Sequence, residues 1–187
     1  MTNSTYSASP GLIPAHGGYR NLKSFQTTTI VYDLTVDFCK RFVKDYRMKD
    51  QMVQAARSGR QNIAEGCQAS GTSKKTELKL VGVARASLEE LLLDYEDYLR
   101  QNALEMWGKE HASVQEIRKL AYQNNRSYLT YTSYVLEPHS AANTAICLIH
   151  QANYLLDQQL RALEKEFMEK GGFTERLYAM RKEQRGN

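Results

Sequence analysis

The chain has 187 residues, with 42% hydrophobic and 25% charged side chains, which is enough for one ordinary hydrophobic core and too little for two separate enzyme domains. Three prolines and eleven glycines leave long uninterrupted segments, disfavouring a strand-and-turn architecture, and no apolar run is long enough to span a membrane. Lys and Arg number 25 against 21 Asp and Glu, net +4, a mildly basic balance that permits acidic partners without demanding them.

Residues 1–19 hold two of the prolines and are expected to form a mobile tail, with neither the basic start nor the apolar run of a secretory signal. From Asn21 the pattern turns helical. Phe25, Thr29, Tyr32, Val36, Cys39, Val43 and Tyr46 recur at steps of three and four, predicting one helix face, with Val31, Leu34, Phe38 and Phe42 widening it. A second helix is expected over about Lys49 to Ala69, with a seam of small residues at Met52, Ala56, Gly59, Ile63 and Gly66. Gly59 inside that helix costs about 1 kcal/mol against Ala and calls for a close-packing reason. Residues 70–73, Ser-Gly-Thr-Ser, break the helix and offer N-caps.

The third helix is expected from Lys74 to Ala103, with its seam at Val81, Ala84, Leu88, Leu91, Tyr95 and Tyr98 and its end at Trp107-Gly108. Ser113 and Glu116 have the spacing of a capping box for a short helix. Tyr128, Tyr131 and Tyr134 follow at helical spacing beside Arg126, reading as an amphipathic edge with packed rings and wet hydroxyls, or as a base-stacking surface. Pro138 is expected to break this stretch and Ser140 to cap the last long helix, which runs to Lys170 and stops at Gly171-Gly172. A short helix from Thr174 to about Glu183 ends the chain in a basic tail. The expected architecture is therefore all-α: an antiparallel up-down four-helix bundle over residues 20–172, with an insertion at about 104–139 and a C-terminal helical tail at 173–187.

One stretch is more specific than periodicity. Residues 54–66 read QAARSGRQNIAEG, a polar linker follows, and Ser87-x-x-Glu90-Leu91 lies on the next helix. This resembles the bacterial four-helix-bundle family that includes the proteins encoded in 23S rRNA intervening sequences, and is similar to the accessory variability proteins of diversity-generating retroelements. Residues 142–144 and 150–157 resemble the family's "four helix bundle suffix" branch, so that the resemblance covers about residues 20–180. It implies an up-down bundle. For the accessory branch it also implies a homo-oligomer (a five-fold ring) with a basic surface that contacts nucleic acid, RNA or DNA, and a reverse transcriptase.

Residues 1–70 carry nine basic and five acidic groups, so the first helical hairpin is the basic part. Lys40, Arg41, Lys44 and Arg47, with Arg57 and Arg60 a turn apart on the second helix, are the candidate nucleic-acid-binding residues. A solvated face that keeps the chain soluble is the alternative reading of the same side chains. Asn62, Glu65 and Gly66 with Ser87 and Glu90 read as a register-fixing or oligomer-contact set; the rival reading makes Glu65 and Glu90 an acid–base pair of an enzyme.

None of His16, His111, His139 and His150 has Glu three residues before it, and GxxxxGK[ST], GxGxxG and HExxH do not occur, so neither metal nor cofactor is expected. Cys39, Cys67 and Cys147 are odd in number, form no CxxC and fit a reduced, cytoplasmic setting. The expected function is that of a non-enzymatic, self-associating protein in which interlocked helices leave no pocket for turnover; a purely structural oligomer without nucleic acid is the alternative.

Overall fold

The computed structural model describes residues 16–186, and among these every regular element is helical. Expectations for residues 1–15 lie outside the described residues. Four long helices, α1 (Lys23–Phe42), α2 (Tyr46–Ala69), α3 (Lys74–Gln101) and α5 (Pro138–Lys170), close a ring in which each packs on two others. A short helix α4 (Ala112–Leu120) and a 3-10 turn at Tyr128–Tyr134 lie between α3 and α5, and α6 (Phe173–Gln184) follows. Each adjacent pair runs antiparallel. Cys39 of α1 meets Met52 of α2, and Ser24 of α1 bonds Gln159 of α5 at 2.7 Å. Between α3 and α5, Lys74 reaches Glu166 at 3.1 Å and Arg85 reaches Asp157 at 3.2 Å. Among the described residues no helix is long and apolar enough to cross a membrane.

The seams expected for α2 and α3 are the buried ones: Met52, Ala56, Ile63, Val81, Ala84, Leu88, Leu91 and Tyr95 are all 0% exposed. Gly59 has its packing reason. A Cβ there would sit 2.7 Å from Leu88 Cδ2, and one at Gly66 would meet the Glu77 carbonyl oxygen at 3.3 Å, so these glycines set the α2–α3 distance.

The α1 face agrees with expectation in part. Val31, Leu34, Phe38, Cys39 and Val43 are buried, but Val36 and Tyr46 are exposed, Phe25, Thr29 and Tyr32 only half-buried, and Thr27, Thr28 and Thr35 join the core. Threonines bury here because their hydroxyls are satisfied within the helix: Thr28 donates to the Phe25 carbonyl at 3.0 Å and Thr35 to that of Val31 at 2.7 Å. A hydropathy pattern counts such residues as polar. Tyr95, fully buried on α3, then donates to Thr35 Oγ1 at 3.1 Å.

Helix ends follow local chemistry. Asp45 accepts from Met48 N at 2.7 Å and starts α2 three residues before Lys49; Ser73 accepts from Thr76 N and caps α3 as expected. α3 ends at Gln101, two residues short of the expected Ala103, because Ala103 takes a left-handed φ of 52° that a helix cannot accommodate. The expected Ser113–Glu116 box is absent: His111 Nδ1 accepts from Ser113 N, and Glu116 accepts from the Tyr134 hydroxyl at 2.9 Å. Pro138 separates the 3-10 turn from α5, whose first position it takes, where a missing N–H costs nothing, and Ser140 bonds back to the Glu137 carbonyl instead of capping. Gly171, at φ 65°, ends α5 as its position suggested.

Candidate nucleic-acid interface

The hairpin cations fall into two groups. Lys40, Lys44, Arg47 and Arg57 are exposed. Arg41 is spent on structure: its guanidinium donates to the Val135 and Leu136 carbonyls at 2.7 Å each and to Asp37 at 3.0 Å, fastening α1 to the loop before α5. Arg60 lies over the Tyr32 ring, 4.2 Å from its centroid; burial raises the pKa of Asp33, and the Arg60 charge only partly offsets that rise. The outward face of α2 also carries Asp50 and Glu65 beside Arg47 and Arg57, with Gln54, Gln61 and Gln68 between them. The hairpin is thus less cationic as a surface than as a segment.

Asn62 and Ser87 are brought together through Ser58. Asn62 Nδ2 donates to Ser58 Oγ at 3.0 Å and to its carbonyl at 2.9 Å, and Ser87 Oγ donates to Ser58 Oγ at 3.1 Å. Glu65 and Glu90 lie outside this network, both exposed, and Gly66 serves the close approach of α3.

A larger feature lies where sequence reasoning had placed only an insertion. Between α4, the loop before it and α5 runs an open groove of about 1060 Å³. The expectation that interlocked helices leave no pocket therefore fails at the insertion. The loop is tied down by Asn143, whose Oδ1 accepts from Trp107 N at 2.7 Å and whose Nδ2 donates to the Glu105 carbonyl at 3.0 Å. Trp107 stacks on His111 with centroids 4.6 Å apart and meets the edge of His139 at 5.7 Å. Val114, Ile146 and Leu155 form an apolar floor.

The charge around this floor is one-sided. Lys23, Lys109, Arg118 and Arg126 line the groove, and among the described lining residues Glu96 is the one carboxylate. Arg126 is held by neutral oxygens, Thr27 Oγ1 at 3.0 Å, Tyr131 Oη at 3.1 Å and Gln151 Oε1 at 3.5 Å, so its position is fixed while its charge stays uncompensated. Two rings on the groove stand open to solvent, Tyr122 at 91% and Tyr154 at 64% exposure. By contrast, the tyrosines singled out in sequence are engaged: Tyr131 is buried, Tyr128 donates to Asp37 at 2.8 Å and Tyr134 to Glu116, so their hydroxyls are bonded rather than wet. Burial pushes the Cys147 thiol in the groove up to about 11, leaving it protonated and non-nucleophilic at neutral pH. Arg126 is the one cation of this site that the sequence singles out; the other cations come from α1, α4 and the loop before α4, and meet only in the fold.

An all-helical protein with a cationic, aromatic groove beside its ring of long helices is what fold and site define. The chain belongs to the 23S rRNA-intervening sequence protein family, whose model matches residues 22–123. The match takes in α1 to α4, and ends before the α5 wall of the groove. No curated protein and no solved structure matches the chain.

Proposed function

We propose that this chain is a non-enzymatic nucleic-acid-binding protein built on an up-and-down four-helix bundle, and that the α4–α5 groove is its contact surface. The observation that carries this reading is the charge of the groove: four cations, one held without a carboxylate partner, against Glu96. Such a surface gains affinity by releasing counterions from phosphates. The family's name, which refers to intervening sequences of 23S rRNA, supports the same direction. The exposed hairpin cations Lys40, Lys44, Arg47 and Arg57 extend the field without forming a concave site.

Binding of short RNA and DNA followed against salt tests the proposal. Wild type is expected to show a log–log salt slope that becomes shallower by about one for each phosphate contact removed in Lys109→Glu and Arg118→Glu. Lys44→Glu and Arg57→Glu are expected to change it less. Absence of binding at low salt, or full binding by the groove variants, refutes the proposal.

A second reading, self-association without nucleic acid, is favoured by the outward face of α3, where Val83 (41%) and Leu93 (57%) are exposed on one side with Ala86 between them. Light scattering of wild type against Leu93→Glu tests it, a monomeric wild type being the refuting result. A five-fold ring and a reverse transcriptase partner rest on the family resemblance, and the same measurement reads the subunit number.

A further inference from the structure

We infer that the groove takes unpaired nucleotides of single-stranded RNA and discriminates against duplex; this rests on the nucleic-acid reading above and names its substrate. Tyr122 and Tyr154 both line the cationic groove and are largely exposed, an arrangement useful to a ligand that brings both planar faces and negative charge. A duplex hides its base faces in its own stack and offers only phosphate and groove edges. A single strand can splay its bases onto the tyrosines while its phosphates meet Arg118 and Lys109.

A second, smaller cleft of about 290 Å³ adjoins the groove and shares Lys23 and Arg126 with it. It is lined by Gln123, Asn124 and Asn125, all exposed, whose amides carry both donors and acceptors. Those groups complement the hydrogen-bonding edge of an unpaired base, an edge that a duplex keeps in its pairs. Exposed rings, cations and amides therefore line two neighbouring clefts that share Lys23 and Arg126. An acidic amphipathic peptide would also be drawn by the cations and the apolar floor, but it brings no regular run of planar faces to the exposed rings of Tyr122 and Tyr154.

Trp107 is the chain's one tryptophan and lines the groove, so its fluorescence reports occupancy directly. The probes are a ten-nucleotide mixed-sequence RNA strand, the same strand paired with its complement, and an acidic amphipathic peptide. The single strand is expected to change Trp107 emission and to bind at least about tenfold more tightly than the duplex. Tyr122→Ala and Tyr154→Ala, both at exposed positions that the fold does not need, are expected to weaken single-strand binding about tenfold each while leaving the salt slope and the duplex affinity unchanged. Equal affinity for both RNA forms, with the tyrosine variants silent, overturns the inference and leaves the nucleic-acid reading standing. If neither RNA form binds, both fail. A response of Trp107 to the peptide and not to RNA overturns the inference in favour of a protein ligand.

Discussion

Two glycines in helix interiors make opposite predictions from the same substitution. Gly59 of α2 faces α3: an added Cβ would lie 2.7 Å from Leu88 Cδ2 and 2.9 Å from its Cγ. Leu88 is fully buried, so it cannot swing out to solvent to relieve the contact. Gly82 of α3 has nothing within 4 Å of the same hypothetical atom. Replacing either by Ala gains about 1 kcal/mol of helix propensity. At Gly82 that gain stands alone, and Gly82→Ala is expected to stabilise by about 0.5–1 kcal/mol. At Gly59 it is opposed by overpacking of about 1–3 kcal/mol, and the severity of the clash places the cost at the upper end. Gly59→Ala is therefore expected to destabilise by about 1–2 kcal/mol. Since the propensity gain is common to both, the difference between the two variants measures the close approach of α2 and α3. Urea unfolding followed by far-UV circular dichroism reads both. In a Leu88→Ala background, where the obstructing atoms are gone, Gly59→Ala should become neutral or stabilising. A Gly59→Ala protein as stable as wild type, or a clash that persists without the Leu88 side chain, would refute the reasoning.

Asp94 of α3 is half-buried, its Oδ2 has no hydrogen-bond partner, and burial together with Glu90 and Asp97 raises its pKa from 3.8 to about 6. A raised carboxyl favours the fold when protonated, so its contribution is full below about pH 4 and is lost as the pH rises through about 6. Asp94→Asn should then stabilise by about 1 kcal/mol at pH 7, after allowance for solvent screening, and by much less at pH 4; a constant difference across that range refutes it. Tyr95→Phe removes the buried bond to Thr35 and should cost about 1 kcal/mol in urea unfolding, an unchanged midpoint being the contrary result. Arg41→Leu should speed amide exchange over residues 135–141, where the guanidinium holds two carbonyls, and leave RNA affinity unaltered; reduced affinity with unchanged exchange would return Arg41 to the binding surface.

Much of the fold is legible along the chain. Met52, Ala56, Gly59, Ile63 and Gly66, then Val81 to Tyr98, announce two helices and the faces they bury, because an α-helix turns a repeat of three and four into a stripe. Gly59 even declares that something comes close, since nothing local rewards a glycine there. The errors sit where local chemistry offers equivalent choices. Ser113 and His111 both present acceptors near the start of α4, and the choice went to His111 once Tyr134 claimed Glu116.

The binding surface is a different matter. Summed by segment, the charge points to the first hairpin, but Arg41 and Arg60 are drawn into contacts with the loop before α5 and with a ring of α1. The groove gathers Lys23, Lys109, Arg118 and Arg126 from separate stretches, and brings Tyr122 and Tyr154 into one lining although thirty-two positions separate them. Periodicity, caps and propensities act within a few turns of helix, so the sequence alone determined which segments are helical and largely which sides they bury. Which charges are neutralised and which remain to meet a ligand was decided by the folding of the 102–137 insertion onto α5, a long-range event that leaves no repeating mark on the chain.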